Sequence, residues 1–368
     1  MSFVYYNSFI ILCVMSYFFS EKSNSVHGRM FFHFTSFIIF FLFSALRFDV
    51  GPDYEEYVRY YYSLKEGEWI TVSGYFSGLI IFSMVSRVFS AVNNGYIFVF
   101  ASYSLITTIF IYAAVSRFKK HLKINGSLII FVFISMGFYL DSLDRIRQWC
   151  AISIFFFGFI YILKNDFLRY FLFIFIASCF HFSAILLLPL YFVLKVNVGR
   201  FLVLSSIVAI AAMQFLGWGE PLFRLVMSNV PYYSEVYSSN SYTSSFSTGS
   251  GAGVLLKILV IFSSILLIKE SNNYKLRNVV YIGLFIYIVS SGNINISRFS
   301  DYLLVIVCVT IPYCINRFSI KDRKYVYVVA WCVLLIYYQS LTMRNNYNYK
   351  TVFSPEAQYQ VFEERSAR

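Results

Sequence analysis

Apolar blocks about as long as a membrane is thick recur along nearly the whole 368-residue chain, and no other feature narrows the possible folds as far. In hydrocarbon every backbone N–H and C=O must be paired inside the protein, so continuous apolar runs of about 17–20 residues have to be helices. A β-barrel needs alternating strands of about ten residues, which these runs do not contain. The sequence therefore predicts an all-alpha polytopic integral membrane protein with about 11–13 transmembrane helices. Candidate spans are 3–20, 31–46, 96–115, 124–140, 148–163, 166–180, 182–194, 200–217, 252–268, 278–292, 299–316 and 324–341. Segments 166–180 and 182–194 are short for two crossings and read either as a tight hairpin or as one long tilted helix. Residues 75–92 are apolar but carry Arg87, which leaves them crossing, interfacial or re-entrant.

Composition agrees with this class. Apolar residues make up 59% of the chain and charged ones 13%, too few charges to keep a soluble surface of this size dispersed. The net charge of +12 would suit nucleic acid, but the basic residues fall in short connections between apolar blocks, where membrane orientation explains them. No nucleic-acid partner is expected. The six cysteines lie in or beside apolar blocks without a CxxC pair, as small fillers. The first block, 3–20, lacks a basic n-region and reads as a retained helix.

Charge also orients the chain. Connections 116–123 (Arg117, Lys119, Lys120, Lys123) and 317–324 (Arg317, Lys321, Arg323, Lys324 against Asp322) read as cytoplasmic. The stretch 47–74 carries Asp49, Asp53, Glu55, Glu56, Glu66 and Glu68 against Arg47, Arg59 and Lys65, and reads as external. Only one crossing then fits between the two, and 96–115 is the better spanner, so 75–92 is expected to lie along the membrane or to dip and return. The turn at 141–147, His181, loop 218–251 and residues 293–298 fall on the same outer side. Loop 218–251 is polar and Ser/Tyr-rich, either a lid over a polar ligand or an unstructured connection. Residues 1–341 form one transmembrane domain in this reading, and 342–368 a polar tail.

Four polar constellations sit where apolar blocks end. In ALRFDVGPDYEEYVRYY (45–61), Gly51 and Pro52 make a turn, Asp53 stands at a helix N-cap, and Tyr54, Tyr57 and Tyr61 share one helical face. Arg47 there either snorkels to headgroups or holds an anionic group while Asp49 or Asp53 holds a proton or hydroxyl. In DSLDRIRQWCA (141–151), Arg145 and Arg147 do not share a helical face, so both cannot snorkel along the same side. Either Asp141 and Asp144 neutralise them, or a bound phosphate does, because the guanidinium fork matches phosphate oxygens. In CFHFSA (179–184), His181 is either a packed core histidine or a proton carrier. In SGNINISRFSDYLL (291–304), Arg298 either pairs with Asp301 or faces a ligand. Arginine clusters on the outer side run against the usual charge bias, and a shared anionic ligand accounts for them.

At these same residues the chain resembles the bacterial O-antigen/capsular polysaccharide polymerase family (Wzy type, EpsG-like). The resemblance is carried by Leu46, Arg47, Gly51, Asp53, Tyr54 and Tyr57; by Arg147, Gln148 and Ala151; by His181, Ser183, Ala184 and Pro189; and by Arg298 and Tyr302. Their order and separation match across residues 1–320. Pro52 departs from the family's usual small polar residue and stiffens the turn without removing Asp53.

The resemblance implies a GT-C-type helical glycosyltransferase of the bacterial inner membrane, with its active site facing the periplasm. Donor and acceptor are lipid-linked oligosaccharides on undecaprenyl pyrophosphate. The growing chain moves to the non-reducing end of a new repeat, as in O-antigen synthesis. A chain-length-regulating co-polymerase is an implied partner. In that chemistry Arg145 or Arg147 with Arg298, and Arg47 as a further contact, stabilise the pyrophosphate leaving group. Asp53, then Asp49 and His181, are the candidate proton acceptors. Gln148, Tyr302, Tyr54 and Tyr57 are candidate substrate contacts. No cofactor or metal is expected, because no Asp, Glu or His cluster has ligand-like spacing. A flippase for the same lipids and a membrane O-acyltransferase using His181 are the alternatives. The sequence shows no clear pair of broken helices for the first and no second polar partner for His181 for the second.

Overall fold

The computed structural model describes residues 2–65, 79–218, 252–268, 273–290, 294–343 and 348–354. Glu66 and Glu68, nearly all of loop 218–251 and most of the 342–368 tail lie outside the described residues. The helices are α1 (Ser2–Lys22), α2 (Val26–Ala45), α3 (Tyr54–Lys65), α4 (Leu79–Val88), α5 (Tyr96–Leu122), α6 (Gly126–Ser135), α7 (Phe138–Asp144), α8 (Ile146–Leu163) and α9 (Phe167–Phe180). A 3-10 turn (Phe182–Leu187) precedes α10 (Leu190–Val193), α11 (Arg200–Phe215), α12 (Ala252–Leu267), α13 (Tyr274–Val289), α14 (Ile294–Leu304), α15 (Val307–Ile315) and α16 (Ile320–Thr342). Two short strands, β1 (Arg47–Phe48) and β2 (Lys350–Thr351), pair antiparallel and bring residues after α16 against the end of α2.

The all-α membrane class is what the structure shows. Among the described residues, α1, α2, α5, α8 and α16 are long and apolar enough to cross a membrane, and two bent helix pairs raise the number to seven. The other expected spans are apolar helices of 10–17 residues, such as α9, α11 and α12. At 1.5 Å per residue these are shorter than the hydrocarbon core, which explains why counting hydrophobic blocks gave a larger figure. The expected spans 124–140 and 299–316 are each broken. Helices α6 and α7 meet at 59°, where Gly137 takes φ +84°, and 297–304 meets α15 at 41°. Broken helices also line transporter sites, so these two breaks, which the sequence did not reveal, are compatible with a flippase.

Two compact units are present: Met1–Leu188 with Ile315–Arg368, and Pro189–Cys314. In the first, α8 is buried on nearly every side, consistent with its apolar residues running all round the helix. Helices α5 and α9 pack on it, α2 packs on α5, and α1 on α2. The Tyr170 hydroxyl donates to the Leu187 carbonyl at 2.6 Å, so the 3-10 turn folds back along α9 as a tight hairpin. The first unit has two chemically distinct ends. One gathers Ser2, residues 47–61, residues 139–148 and residues 348–351, joined by the Ser2–Asn348 bond of 2.9 Å and the β1–β2 pair. The other holds Glu21, Lys119, Gly126 and Tyr327 with the basic connections 116–123 and 317–324.

In the second unit, Arg277 is fully buried and donates to the Asn197 Oδ1 at 3.0 Å and to the Val198 carbonyl, tying α13 to the loop before α11. Gly283 lets α14 approach α13 closely, since a Cβ there would lie 2.9 Å from that of Leu303.

Helix α4 has ten residues, about 15 Å, too short to span by itself. The Tyr61 hydroxyl donates to the Phe89 carbonyl at 2.9 Å, which returns the chain after α4 to the level of α3. A cysteine replacing Asn93 is therefore expected to react with a membrane-impermeant thiol reagent from the same side as one replacing Glu55. A cysteine replacing Lys120 is expected to react from the opposite side. Labelling of positions 93 and 120 from one side would refute this topology.

Candidate active site

The turn between α2 and α3 is the first part of the site. Arg47 begins β1 and is 1% exposed. Its Nη1 donates to the Ser44 carbonyl at 2.6 Å and lies 3.4 Å from Ser104 Oγ, while the guanidinium carbon sits 4.9 Å above the Phe100 ring. Its Nε and Nη2 have no hydrogen-bond partner among the described residues. Burial pulls this arginine below its usual range, opposed by the nearby Tyr54, Tyr139, Tyr349 and Asp144. Arginine starts so high that the group stays cationic. A buried guanidinium with two open donors costs stability, and an anion would recover it.

Gly51 and Asp53 explain why the turn has its sequence. Gly51 takes φ +94°, a conformation that suits glycine, and a Cβ there would fall 2.6 Å from Asp144 Oδ1 and 2.9 Å from its Cα. Asp53 N–H donates to Asp144 Oδ1 at 2.8 Å, across 91 residues of sequence. Asp144 thus occupies the acceptor position at the start of α3 that a local cap would otherwise fill. Gly51→Ala is expected to cost about 2 kcal/mol or more, from backbone strain and the clash together. A clear fall in the unfolding temperature of the solubilised protein would register it, and an unchanged temperature would count against this packing.

Asp144 also ends α7, and the two sequence arginines flank the α7–α8 break. Arg145 is buried, with Nη2 3.1 Å from Asp141 Oδ2 and Nη1 3.3 Å from Gln148 Oε1. Its charge is met inside the protein, the first of the two readings left open by the sequence. Arg147 is half-buried on α8, with its guanidinium 5.6 Å from the Tyr57 ring centroid. Burial pushes the Tyr57 phenol above its usual range, Arg147 pulls it down, and Asp53 and Asp144 push it up, so Tyr57 lies within the field of all three charged groups.

The remaining predicted residues are placed as follows. Tyr54, Tyr57 and Tyr61 do share a face, but it turns into the protein: Tyr54 stacks on Phe100 at 4.7 Å, and Tyr57 lies 5.8 Å from the Phe82 ring. A headgroup-facing role, one option for that face, is replaced by packing. Asp49 is exposed in the left-handed region (φ +52°), which aspartate tolerates better than most side chains. His181 is half-buried at the end of α9, its N–H donating to the Ala177 carbonyl at 3.1 Å. Arg298 and Tyr302 belong to the second unit, where Arg298 is half-buried and Tyr302 fully buried. Asp301, the expected partner of Arg298, has its Oδ1 3.9 Å from Lys257 Nζ, and that ammonium lies 4.8 Å from the Tyr287 ring centroid.

Sequence reading missed three contributors in the first unit, and one buried lysine in the second. Phe100 and Ser104, which hold Arg47, sit in an apolar run with no distinguishing mark. Tyr349 stacks on Phe43 at 3.9 Å and donates to its carbonyl at 2.8 Å, a contact invisible in a tail without motifs. Lys257 was legible as a lone charge inside an apolar helix, a placement that marks function by default. No group of three metal-ligating side chains occurs among the described residues.

With the geometry in place, comparison with known protein families matches residues 30–354 to the EpsG family. The chain belongs to the EpsG family. That match spans every motif residue named above, and the family carries a polysaccharide polymerase role. No curated protein and no solved structure matches the chain.

Proposed function

We propose that this EpsG-family chain is a bacterial inner-membrane glycosyltransferase that polymerises undecaprenyl-pyrophosphate-linked oligosaccharide repeats at the periplasmic face. The observation that carries this reading is Arg47: a buried guanidinium with two open donors, one turn from Asp53 and beside the Asp144 cluster. A site built this way has an anion to bind and a carboxylate near it.

The chemistry follows from those groups. A sugar hydroxyl of the incoming repeat attacks the anomeric carbon of the growing chain, and the C–O bond to pyrophosphate breaks. Asp53 accepts the hydroxyl proton, and the leaving diphosphate takes the bonding electron pair. Arg47 and Arg147 stabilise the charge that develops on it in a partly dry site, where fixed donors act strongly. Arg298 is assigned the same type of role by the motif it carries. Arg145, already engaged by Asp141 and Gln148, is a positioning residue, and Asp144 holds the turn that presents Asp53. The basic residues of 116–123 and 317–324 then face the cytoplasm, placing the Arg47–Asp144 end of the first unit outside.

The two bent helix pairs give the flippase reading its specific support. A strain lacking this gene separates the two. Loss of polymerisation collapses the surface polysaccharide ladder to single repeats that are still capped outside. Loss of flipping leaves repeats facing the cytoplasm, and that result would overturn the polymerase assignment.

A further inference from the structure

At the basic end of the first unit, away from the Arg47–Asp144 cluster, lies a cavity of about 660 Å³. That size is within the range of ligand sites, roughly 300–1,000 Å³. Helix α6 provides its floor with Ser127 and Leu128. Helix α1 forms one wall with Val14, Met15 and Phe18, and α16 the other with Tyr327 and Trp331. Lys22, Lys119 and Asn125 stand at its polar end. From Val14 to Lys22 the α1 wall runs about 12 Å, the depth of a headgroup and the upper part of a lipid chain. Met15 and Phe18 are exposed on the outside of the unit, so the apolar part of the cavity adjoins the surrounding lipid.

The polar end has a definite charge preference. Glu21 lines it, yet its carboxylate is saturated: it accepts from Gly126 N at 2.9 Å, Ser127 N at 3.1 Å and Ser127 Oγ at 2.6 Å, and lies 2.9 Å from Lys119 Nζ. Lys119 uses one of its three donors there and is partly exposed, and Lys22 is exposed over the Phe18 ring. Asn125 Nδ2 donates to the Tyr327 hydroxyl at 3.0 Å, which leaves that hydroxyl's own proton to donate. Two ammonium groups and a phenol thus face a ligand that must carry negative charge at one end and hydrocarbon at the other.

We propose that this cavity is a binding site for an anionic glycerophospholipid, phosphate at Lys22 and Lys119 and acyl chains along Val14, Leu128 and Trp331. The site is independent of the polymerisation reading. Trp331, stacked on Phe131 at 4.0 Å, is a reporter within it. The test is quenching of tryptophan fluorescence in nanodiscs by brominated phosphatidylglycerol and by brominated phosphatidylcholine at equal mole fraction. The Trp331 contribution is taken as the difference from Trp331→Phe. Brominated phosphatidylglycerol is expected to quench Trp331 selectively, with apparent affinity falling about fivefold for each lysine replaced in Lys22→Gln and Lys119→Gln. If Lys119→Gln unfolds through loss of its Glu21 contact, Lys22→Gln alone decides, since the Lys22 side chain is exposed over the Phe18 ring and makes no hydrogen bond among the described residues. Equal quenching by the two lipids would mean ordinary annular lipid and overturn the proposal. Selectivity surviving in the lysine variants would overturn it as well. Competition by inorganic phosphate alone, without dependence on the acyl chains, would assign the site to a free anion instead.

Discussion

Arg147→Ala is expected to abolish chain growth, by about 10²–10³-fold or more, while the protein still accumulates in the membrane with a near-normal unfolding temperature. The size follows from removing a fixed donor aimed at charge that develops only as the leaving group departs. Stability should change little because Arg147 is half-buried and rests on the Tyr57 ring. Arg147→Lys should recover only part of the rate, since an ammonium supplies charge without the planar fork that matches phosphate oxygens. Arg145→Ala should behave in the opposite way, lowering stability first, because its guanidinium holds Asp141 and Gln148 together. The initial rate of polymer formation from purified lipid-linked repeats, read beside thermal unfolding, distinguishes the two. A wild-type rate in Arg147→Ala would remove this residue from the site.

Asp144→Ala is the second large effect and acts through structure. The side chain is buried, accepts from Asp53 N–H and places a negative charge near Arg47. Removing it leaves the Asp53 N–H without its acceptor and takes a negative charge from the neighbourhood of Arg47, a loss of about 1–3 kcal/mol. With no acceptor at the α3 start, the turn presenting Asp53 should loosen. Asp144→Asn keeps an oxygen for the Asp53 N–H and should be less destabilised, yet its rate should remain low because the charge is gone. Equal stability and activity in Asp144→Ala and the unaltered protein would show that the turn is held by other contacts.

The class of the fold and part of the site could be read from the residues. Long apolar periods located α1, α2, α5, α8 and α16, because backbone pairing in hydrocarbon leaves helices as the only choice. Gly51 and Pro52 marked the turn before α3, and the spacing of Tyr54, Tyr57 and Tyr61 gave their common face, though not the direction it points. That direction depends on Phe82 and Phe100, which no local pattern identifies. The link from Asp53 to Asp144 spans 91 residues, and only tertiary packing creates it. Asp144 was visible as a neutralising partner for the adjacent arginines, but its larger part in fixing the Gly51–Asp53 turn was not. The break at Gly137 had a signal, a glycine inside an apolar run, which a count by hydrophobic length passes over.

The most direct measurement is the stoichiometry of the reaction in reconstituted membranes. Purified protein is supplied with lipid-linked repeat, and released undecaprenyl pyrophosphate is counted against new glycosidic bonds. One diphosphate lipid per bond is expected from the unaltered protein, with both products lost together in Arg47→Ala, Arg147→Ala and Asp53→Ala. Bonds forming at full rate in those variants, or lipid-linked repeats crossing the bilayer without any bond being made, would contradict it.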